Sequence, residues 1–197
     1  MFIAFVFNII VTDHLAFFLW TPSADGDENL LKSGIDKSKI IRVGNIMIDT
    51  LVLMKPAVEA STFLQGVKIH HQEFAMVTLH RPSNVDVPET LNILLDELKA
   101  VSLEMDILWP LHPRTKARIQ SIGRMDELID NPAIHLMGPL GYIDFMNGIM
   151  HSNCVITDSG GIQEETTWLG VPCITLRPNT ERPITISQGN NVLASPK

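Results

Sequence analysis

The sequence predicts a doubly wound α/β domain, in which helices cover both faces of a parallel β-sheet. Short apolar runs alternate with amphipathic stretches, the apolar runs show no inside–outside alternation, and polar residues follow four of them. Strands that are apolar throughout are typical of parallel sheets buried on both faces. In such sheets ligands bind beyond the carboxyl ends of the strands, so the polar segments mark a candidate site.

The first part of the chain predicts two strands and two helices. Residues 1–12 carry no charged side chain and are interpreted as a core segment; a secretory signal peptide is the alternative, although no basic leader precedes the run. Strands are predicted at 15–21 and 39–43, and helices at 27–33 and 46–55. The helices are expected to end at Gly34 and Pro56, because glycine and proline interrupt helices.

From residue 56 onward the alternation of strands and helices is clearer. The predicted strands are Phe74–Leu79, Ile107–Leu111, Ile134–Met137, Cys154–Thr157 and Cys173–Leu176. The predicted helices are Pro88–Ser102, Arg114–Ile122, Ile143–Met150 and Ile162–Leu169, followed by one short helical turn and an apolar segment, Asn191–Ala194. We therefore expect a doubly wound α/β domain without repeats or a long linker.

Composition is that of a globular protein with one sizeable core. Of the 197 residues, 45% are hydrophobic and 19% are charged, and the net charge is −7. This acidic balance argues against nucleic-acid and anionic-membrane partners, because both favour a basic surface. Cys154 and Cys173 lie in apolar runs, so two buried thiols in a reducing compartment are favoured over a disulfide. No cysteine–histidine cluster indicates a metal site.

Polar side chains follow four of the predicted strands and should share one edge of the sheet. Their segments are His80-Arg81-Pro82-Ser83-Asn84, His112-Pro113-Arg114, Thr157-Asp158-Ser159-Gly160-Gly161 and Arg177-Pro178-Asn179-Thr180-Glu181-Arg182. A packing or capping role is the alternative for His80, but the adjacent Arg81 favours ligand contact. Arg114 can simply begin a helix. Arg182 is either one partner of a surface ion pair or a phosphate ligand.

The segment Asp158-Ser159-Gly160-Gly161 resembles the surroundings of a protease nucleophile, but its context argues against that role. The serine follows a strand and opens a helix, whereas a hydrolase elbow would need glycine in place of Thr157. Glycines at a helix N-terminus let a phosphate approach the main-chain N–H groups. A tight turn that needs glycine only for its geometry is the equal alternative. Of Glu164 and Glu165, which follow, one could interact favourably with the helix dipole and the other could hydrogen-bond a ribose.

Seven segments in register resemble the non-hydrolysing UDP-N-acetylglucosamine 2-epimerases. They are TPSADGDENLLKSGI (21–35), VGNIMIDTL (43–51), VTLHRPSNVDVPETL (77–91), PLHPRTKARI (110–119), PLGYIDF (139–145), TDSGGIQEETTWLGVPCITLRPNTERP (157–183) and GNNVL (189–193). The resemblance implies two Rossmann-like domains that face each other across a cleft, the glycosyltransferase-B (GT-B) architecture. It also implies a cytoplasmic homodimer that interconverts UDP-GlcNAc and UDP-ManNAc by eliminating and re-adding UDP, without a metal or redox cofactor, for polysaccharide synthesis.

The resemblance also assigns roles to individual residues. His80 is implied as a catalytic histidine near the phosphates, and Arg81 belongs to the same motif. The residues implied to bind UDP are Ser159, Gly160 and Gly161 at the diphosphate, Glu165 at the ribose, Arg182 at the phosphates, and Leu140 and Phe145 at the uracil. Leu140 stands where the family often has a polar residue, so only a main-chain contact carries over. His112 and Arg114 match a loop that lies near a second, regulatory UDP-GlcNAc in some members.

Two departures from the family pattern restrict the functional prediction. The family has an N-terminal domain with the acidic residues that handle the C2 proton, and Phe5 and Val6 stand near the place of the last of them. The chain also ends at Lys197, before the family's closing helices. We therefore expect the UDP-binding half of an epimerase, inactive by itself. Residues 1–55 would be a linking segment that leads into the UDP-binding domain at 56–197, which would be incomplete at its C-terminal end. The alternatives are a nucleotide-sugar-binding module without catalysis and, less favoured, a glycosyltransferase of the same fold.

Overall fold

A computed structural model describes residues 2–195 of the chain. The chain divides into two compact units, one that ends at Val52 and one that begins at Leu53. No helix within the described residues is long and apolar enough to cross a membrane.

The first unit contains a long helix and one pair of short parallel strands. Its elements are α1 (Phe2–Leu15), β1 (Leu19–Thr21), α2 (Ala24–Lys32), a 3₁₀ turn (Lys37–Lys39), β2 (Ile40–Arg42) and the start of α3 (Ile46–Glu59). Trp20 pairs with Ile41 in the parallel ladder between β1 and β2. Both predicted strands are therefore present, but each is shorter than the sequence indicated.

The interpretation of residues 1–12 as a core segment is wrong for the side chains that the structure describes; Met1 lies outside the described residues. The segment forms helix α1, and the side chain of Phe7 is 64% exposed. Ile9, Ile10 and Val11 are exposed as well. A continuous apolar run has no period that distinguishes a helix from a strand. It also does not indicate which face packs against the rest of the protein.

Helix α3 continues through Pro56 to Glu59, whereas the sequence predicted that it would stop before the proline. Proline has no N–H to donate to the preceding turn, but its carbonyl still accepts hydrogen bonds. The Pro56 carbonyl accepts from the N–H of Ala60 at 3.1 Å. The helix therefore loses one hydrogen bond and still gains another turn.

The second unit is a doubly wound α/β sheet. Its parallel strands are β3 (Phe74–Thr78), β4 (Asp106–Pro110), β5 (Ile134–Met137), β6 (Cys154–Thr157), β7 (Cys173–Leu176) and β8 (Asn191–Ala194). They lie in the order β5-β4-β3-β6-β7-β8. If the six strands are counted from the first, this order is 3-2-1-4-5-6, the Rossmann order. The predicted fold class is confirmed, and the apolar segment after Pro183 is the edge strand β8.

Helices connect these strands and cover the sheet. They are α4 (Pro82–Val85), α5 (Pro88–Val101), α6 (Pro113–Ser121), α7 (Met125–Ile129), α8 (Tyr142–His151), α9 (Gly160–Leu169) and α10 (Ile184–Ser187). The predicted apolar face of α5 is confirmed: Leu91, Leu94, Leu95 and Leu98 are all buried in the main core with Trp109. The sequence did not predict α4 and α7, which are too short to show a helical period.

The sequence predicted two buried thiols, and both cysteines are free thiols, which lie on neighbouring strands. Cys173 is buried and Cys154 is half-buried. Burial raises the pKa of both thiols, so both stay protonated at neutral pH.

Gly189 is expected to tolerate no side chain, because its surroundings are closed. A Cβ there would lie 2.7 Å from Thr167 Oγ1 and closer still to the Thr185 carbonyl oxygen. We expect Gly189→Ala to lower the free energy of unfolding by about 1–3 kcal/mol, since an overpacked site must shift. Chemical denaturation measures the change.

Gly138→Ala is the matched control, because a Cβ on Gly138 meets no atom within 4 Å. We expect this variant to stay within about 0.5 kcal/mol of the parent chain. Equal losses for the two variants would contradict the close packing around Gly189.

Candidate functional site

The four polar segments of the sequence analysis lie at one edge of the sheet, because β3, β4, β6 and β7 are parallel. β3 and β6 are neighbours at the centre, and Thr78 lies beside Thr157 at their carboxyl ends. From there the chain extends the sheet to one side through β4 and β5, and to the other through β7 and β8. Such a switch point opens a crevice above the strand ends.

The carboxylate of Asp158 joins two of these segments. Asp158 is fully buried and accepts hydrogen bonds from the main-chain N–H of His80 at 3.0 Å and of Arg81 at 2.9 Å. The Asn84 amide donates to the same carboxylate at 3.2 Å and to the Leu176 carbonyl at 3.0 Å. Arg81 Nε donates in turn to the Asp158 carbonyl at 2.8 Å. The turn after β3 is therefore fixed to the turn after β6.

The imidazole of His80 is oriented by the same carboxylate. His80 Nδ1 lies 3.0 Å from Asp158 Oδ1. Burial would raise the pKa of Asp158, but the His80 side chain and the main-chain N–H of Arg81 outweigh burial and lower it. An ionised carboxylate at this distance favours a proton on Nδ1 of the ring. His80 thus has the histidine–aspartate arrangement of an oriented acid–base group.

Helix α9 begins at this edge with two glycines. Ser159 caps the helix without a side-chain hydrogen bond, and its own N–H donates to Thr157 Oγ1 at 3.0 Å. The N–H groups of Gly160 and Gly161 donate no hydrogen bond to any acceptor within residues 2–195. Two donors at the positive end of a ten-residue helix remain available to an anion.

Three arginines surround this helix terminus, and each lies near a carboxylate. Arg177 Nη1 lies 2.8 Å from Glu181 Oε2, and Arg81 Nη2 lies 4.0 Å from Glu181 Oε1. Arg182 Nε lies 3.0 Å from Glu164 Oε2. The sequence left two roles open for Arg182, an ion pair or a phosphate contact. The structure shows the ion pair, and this pair lies at the edge of the helix terminus.

Glu165 lies behind the turn and contacts α8. It is buried, and the Tyr142 hydroxyl donates to its Oε1 at 3.1 Å. Burial raises the pKa of Glu165, and burial beside that carboxylate raises the pKa of Tyr142 to about 12. Leu140 and Phe145, both half-buried, lie in the loop before α8 and in its first turn. The hydrogen bond therefore joins the start of α8 to the first part of α9.

His112 and Arg114 make local contacts at the start of α6. His112 caps the helix, and its Nδ1 accepts from the Arg114 N–H at 3.2 Å. The Arg114 guanidinium donates to Asp86, which Arg118 also contacts at 3.0 Å. The rings of His112 and His80 lie 5.9 Å apart between centroids. The structure thus brings the His112 ring beside the His80 ring, whereas the Arg114 guanidinium binds Asp86.

No individual role was predicted from sequence for Asp158, Arg177, Glu181 or Tyr142. Asp158 could have been found from its position, because an acidic residue directly after a buried strand needs donors to stay ionised. Arg177 and Glu181 were recognised only as members of a polar segment. Their pairing depends on the path of the loop after β7. Within the described residues, no group of three or more potential ligands is arranged to hold a metal ion.

The model of one protein family, described as UDP-N-acetylglucosamine 2-epimerase, matches residues 7–197. The chain belongs to this family. The curated UDP-N-acetylglucosamine 2-epimerase of Methanocaldococcus jannaschii is 39% identical over 192 residues, which are 94% of this chain and 52% of that protein. The corresponding protein of Methanococcus maripaludis is 36% identical over 193 residues, which are 95% of this chain and 52% of that protein.

A solved structure of the M. jannaschii epimerase, in complex with UDP-GlcNAc and UDP, superposes with a TM-score of 0.84 at 35% identity. The superposition covers 97% of this chain and 54% of that one. This UDP-N-acetylglucosamine 2-epimerase family member therefore spans about half the length of the relatives it matches. Its doubly wound sheet is one Rossmann-like half of a GT-B-type fold.

Proposed function

We propose that this chain is the nucleotide-binding half of a UDP-N-acetylglucosamine 2-epimerase, with residues 1–55 as a linking segment and 56–197 as the UDP-binding domain. The observation that carries the proposal is the pair of unoccupied N–H donors of Gly160 and Gly161, among three arginines and beside the His80–Asp158 pair. A diphosphate needs this combination of main-chain donors, positive charge and a helix N-terminus.

The proposed ligand is held along the edge of the sheet. The diphosphate lies on Gly160 and Gly161, with Ser159 and Arg182 beside it and Arg81 near the phosphates. The ribose hydroxyls are held by Glu165, whose carboxylate Tyr142 keeps in place. The uracil lies at Leu140 and Phe145. A second, regulatory UDP-GlcNAc at His112 and Arg114 would require Arg114 to leave Asp86.

In the proposed reaction, a base removes the proton on C2 of the sugar, the C1–oxygen bond breaks, and UDP leaves with the bonding electrons. The glycal that forms then takes UDP back at C1 and a proton at C2 on the other face. His80 lies where negative charge develops on the leaving diphosphate. An N–H donor of the His80 ring, held beside Asp158, would stabilise this charge in the transition state.

Each of the described carboxylates at this edge already has a partner, so none is placed as the base for the C2 proton. Asp158 accepts from two main-chain N–H groups, Glu165 accepts from Tyr142, and Glu164 and Glu181 lie beside arginines. We therefore propose that this chain binds UDP but turns over substrate only with the remaining half of the enzyme. In the cell, the complete enzyme is a cytoplasmic homodimer.

Arg182→Ala tests the phosphate contact. We expect it to weaken UDP binding to the pure chain at least tenfold in isothermal titration calorimetry, because a charge-assisted hydrogen bond contributes about 1.5–3 kcal/mol. Lys68→Ala is the matched control, since it removes the same charge from an exposed side chain before β3, at the opposite end of the strand. Unchanged affinity in Arg182→Ala would show that this arginine does not hold UDP.

Solvent exchange tests the division between binding and catalysis. UDP-GlcNAc incubated with the pure chain in heavy water should incorporate no deuterium at C2, as followed by proton NMR. The same incubation with a full-length epimerase is the positive control. Deuterium at C2 with this chain alone would show that it carries its own base.

A further inference from the structure

The carboxylate of Glu181 lies over the start of helix α9. A Cβ built on Gly160 would lie 2.6 Å from Glu181 Oε1, so this oxygen fills the space that a side chain at position 160 would need. Arg177 Nη1 lies 2.8 Å from the other oxygen, and Arg81 Nη2 lies 4.0 Å from Oε1. A negatively charged group of this chain thus lies between two arginines, in front of the turn that carries the free N–H groups.

The contacts that hold Glu181 there are incomplete. Arg177 Nη1 is buried and lies within ion-pair distance of the Glu181 carboxylate, but it is not oriented to donate a hydrogen bond to it. Arg81 lies at the limit of an ion pair. Neither glycine N–H donates to the carboxylate. A diphosphate has more oxygens and more charge than one carboxylate, so it could satisfy the donors that Glu181 leaves without hydrogen bonds.

Glu181 can also leave this position at little cost. Its side chain is 49% exposed, whereas that of Arg177 is 11% exposed. Burial would raise the pKa of Glu181, but its own main-chain N–H and the charge of Arg177 outweigh burial and lower it. The carboxylate is therefore an anion at neutral pH with solvent beside it, while the arginine that it contacts is fixed.

We propose that Glu181 is an internal anion that occupies the diphosphate position until the ligand displaces it, and that Arg177, once freed, is a phosphate ligand. This inference rests on the proposed function, because it assumes that the diphosphate of UDP lies on Gly160 and Gly161. Until it is displaced, the Glu181 carboxylate partly offsets the charge of Arg177 and Arg81, and ligand phosphate must compete with it. Affinity for the diphosphate is therefore lower than the arginines alone would give.

The test is the affinity of Glu181→Gln for three probes: UDP, inorganic pyrophosphate and uridine. Glutamine keeps the size of the side chain but removes the competing charge. We expect UDP and pyrophosphate to bind about fivefold or more tightly than to the parent chain, since an uncompensated like charge in a site lowers affinity. Uridine, which has no phosphate, should bind with unchanged affinity. Isothermal titration calorimetry measures all three.

Glu104→Gln is the control, because it removes the same charge from an exposed side chain before β4, at the opposite end of the strand from the arginines. We expect its gain for UDP to stay below about twofold. Equal gains in the two variants would show a general charge effect instead of displacement. Weaker UDP binding in Glu181→Gln would show that the carboxylate supports the ligand. Either result would overturn the inference.

A double-mutant cycle tests the role of Arg177. If Glu181 competes for Arg177, the gain from Glu181→Gln should largely disappear in the Arg177→Ala background, because the freed arginine provides the gain. An undiminished gain would contradict that role. The proposed function fails separately: if neither the parent chain nor Glu181→Gln binds UDP or pyrophosphate, the diphosphate does not lie on the glycines.

Discussion

Asp158→Ala is expected to lower the free energy of unfolding by about 3–5 kcal/mol, because it removes a buried ion that several donors require. The main-chain N–H groups of His80 and Arg81 and the Asn84 amide would lose their acceptor together. Chemical denaturation measures the loss. The exposed carboxylate of Asp96, which contacts Arg124, provides the control, and Asp96→Ala should cost less than about 1 kcal/mol.

The pH dependence of stability gives a second measurement on Asp158. Its pKa in the folded chain is below the ordinary value of 3.8, so its stabilising contribution is present above that value and is lost as the pH falls through the folded pKa. Asp158→Asn keeps the size of the side chain and removes this titration. We expect its unfolding free energy to fall less steeply than that of the parent chain below about pH 4. Parallel curves for the two proteins would contradict an ionised, bonded Asp158.

Gly160→Val is expected to abolish UDP binding while the chain stays folded. The added side chain would occupy the space above the turn, and the atom nearest to its Cβ is the end of the flexible Glu181 side chain. We therefore expect at least a 100-fold loss of affinity, about 2.8 kcal/mol, in isothermal titration calorimetry. Circular dichroism and the unfolding midpoint should change little.

Gly66→Val is the control for Gly160→Val, because Gly66 lies before β3, at the opposite end of that strand, and a Cβ there meets no atom within 4 Å. Its affinity for UDP should stay within about threefold of the parent value. If Gly160→Val bound UDP normally, the diphosphate could not lie on this turn.

The sheet was predictable from sequence wherever a short apolar run lies between polar turns. Strands β5, β6 and β7 have the predicted bounds, and the leucines of α5 form the predicted buried face. Strand β8 was not predicted, because Asn191–Ala194 is short and Asn191 is polar. Asn191 is nevertheless buried: it pairs with Cys173 and accepts from Thr175 at 2.7 Å, which are contacts of the folded sheet.

The site was predictable as a set of segments and much less as a set of contacts. Parallel strands bring the segments at His80, Ser159 and Arg182 to one edge, and the order of strands follows from the fold class. The contacts within that edge depend on loop conformation, which has no sequence period. The role of Asp158 and the position of Glu181 over Gly160 could therefore be recognised only in the folded structure.

A crystal structure of this chain with UDP would show directly whether the diphosphate lies on the start of α9. We expect diphosphate oxygens at hydrogen-bond distance, about 2.7–3.2 Å, from the main-chain nitrogens of Gly160 and Gly161. We also expect that the Glu181 carboxylate has moved away from the start of α9. UDP bound elsewhere, or bound with no phosphate contact to these two glycines, would contradict the proposal.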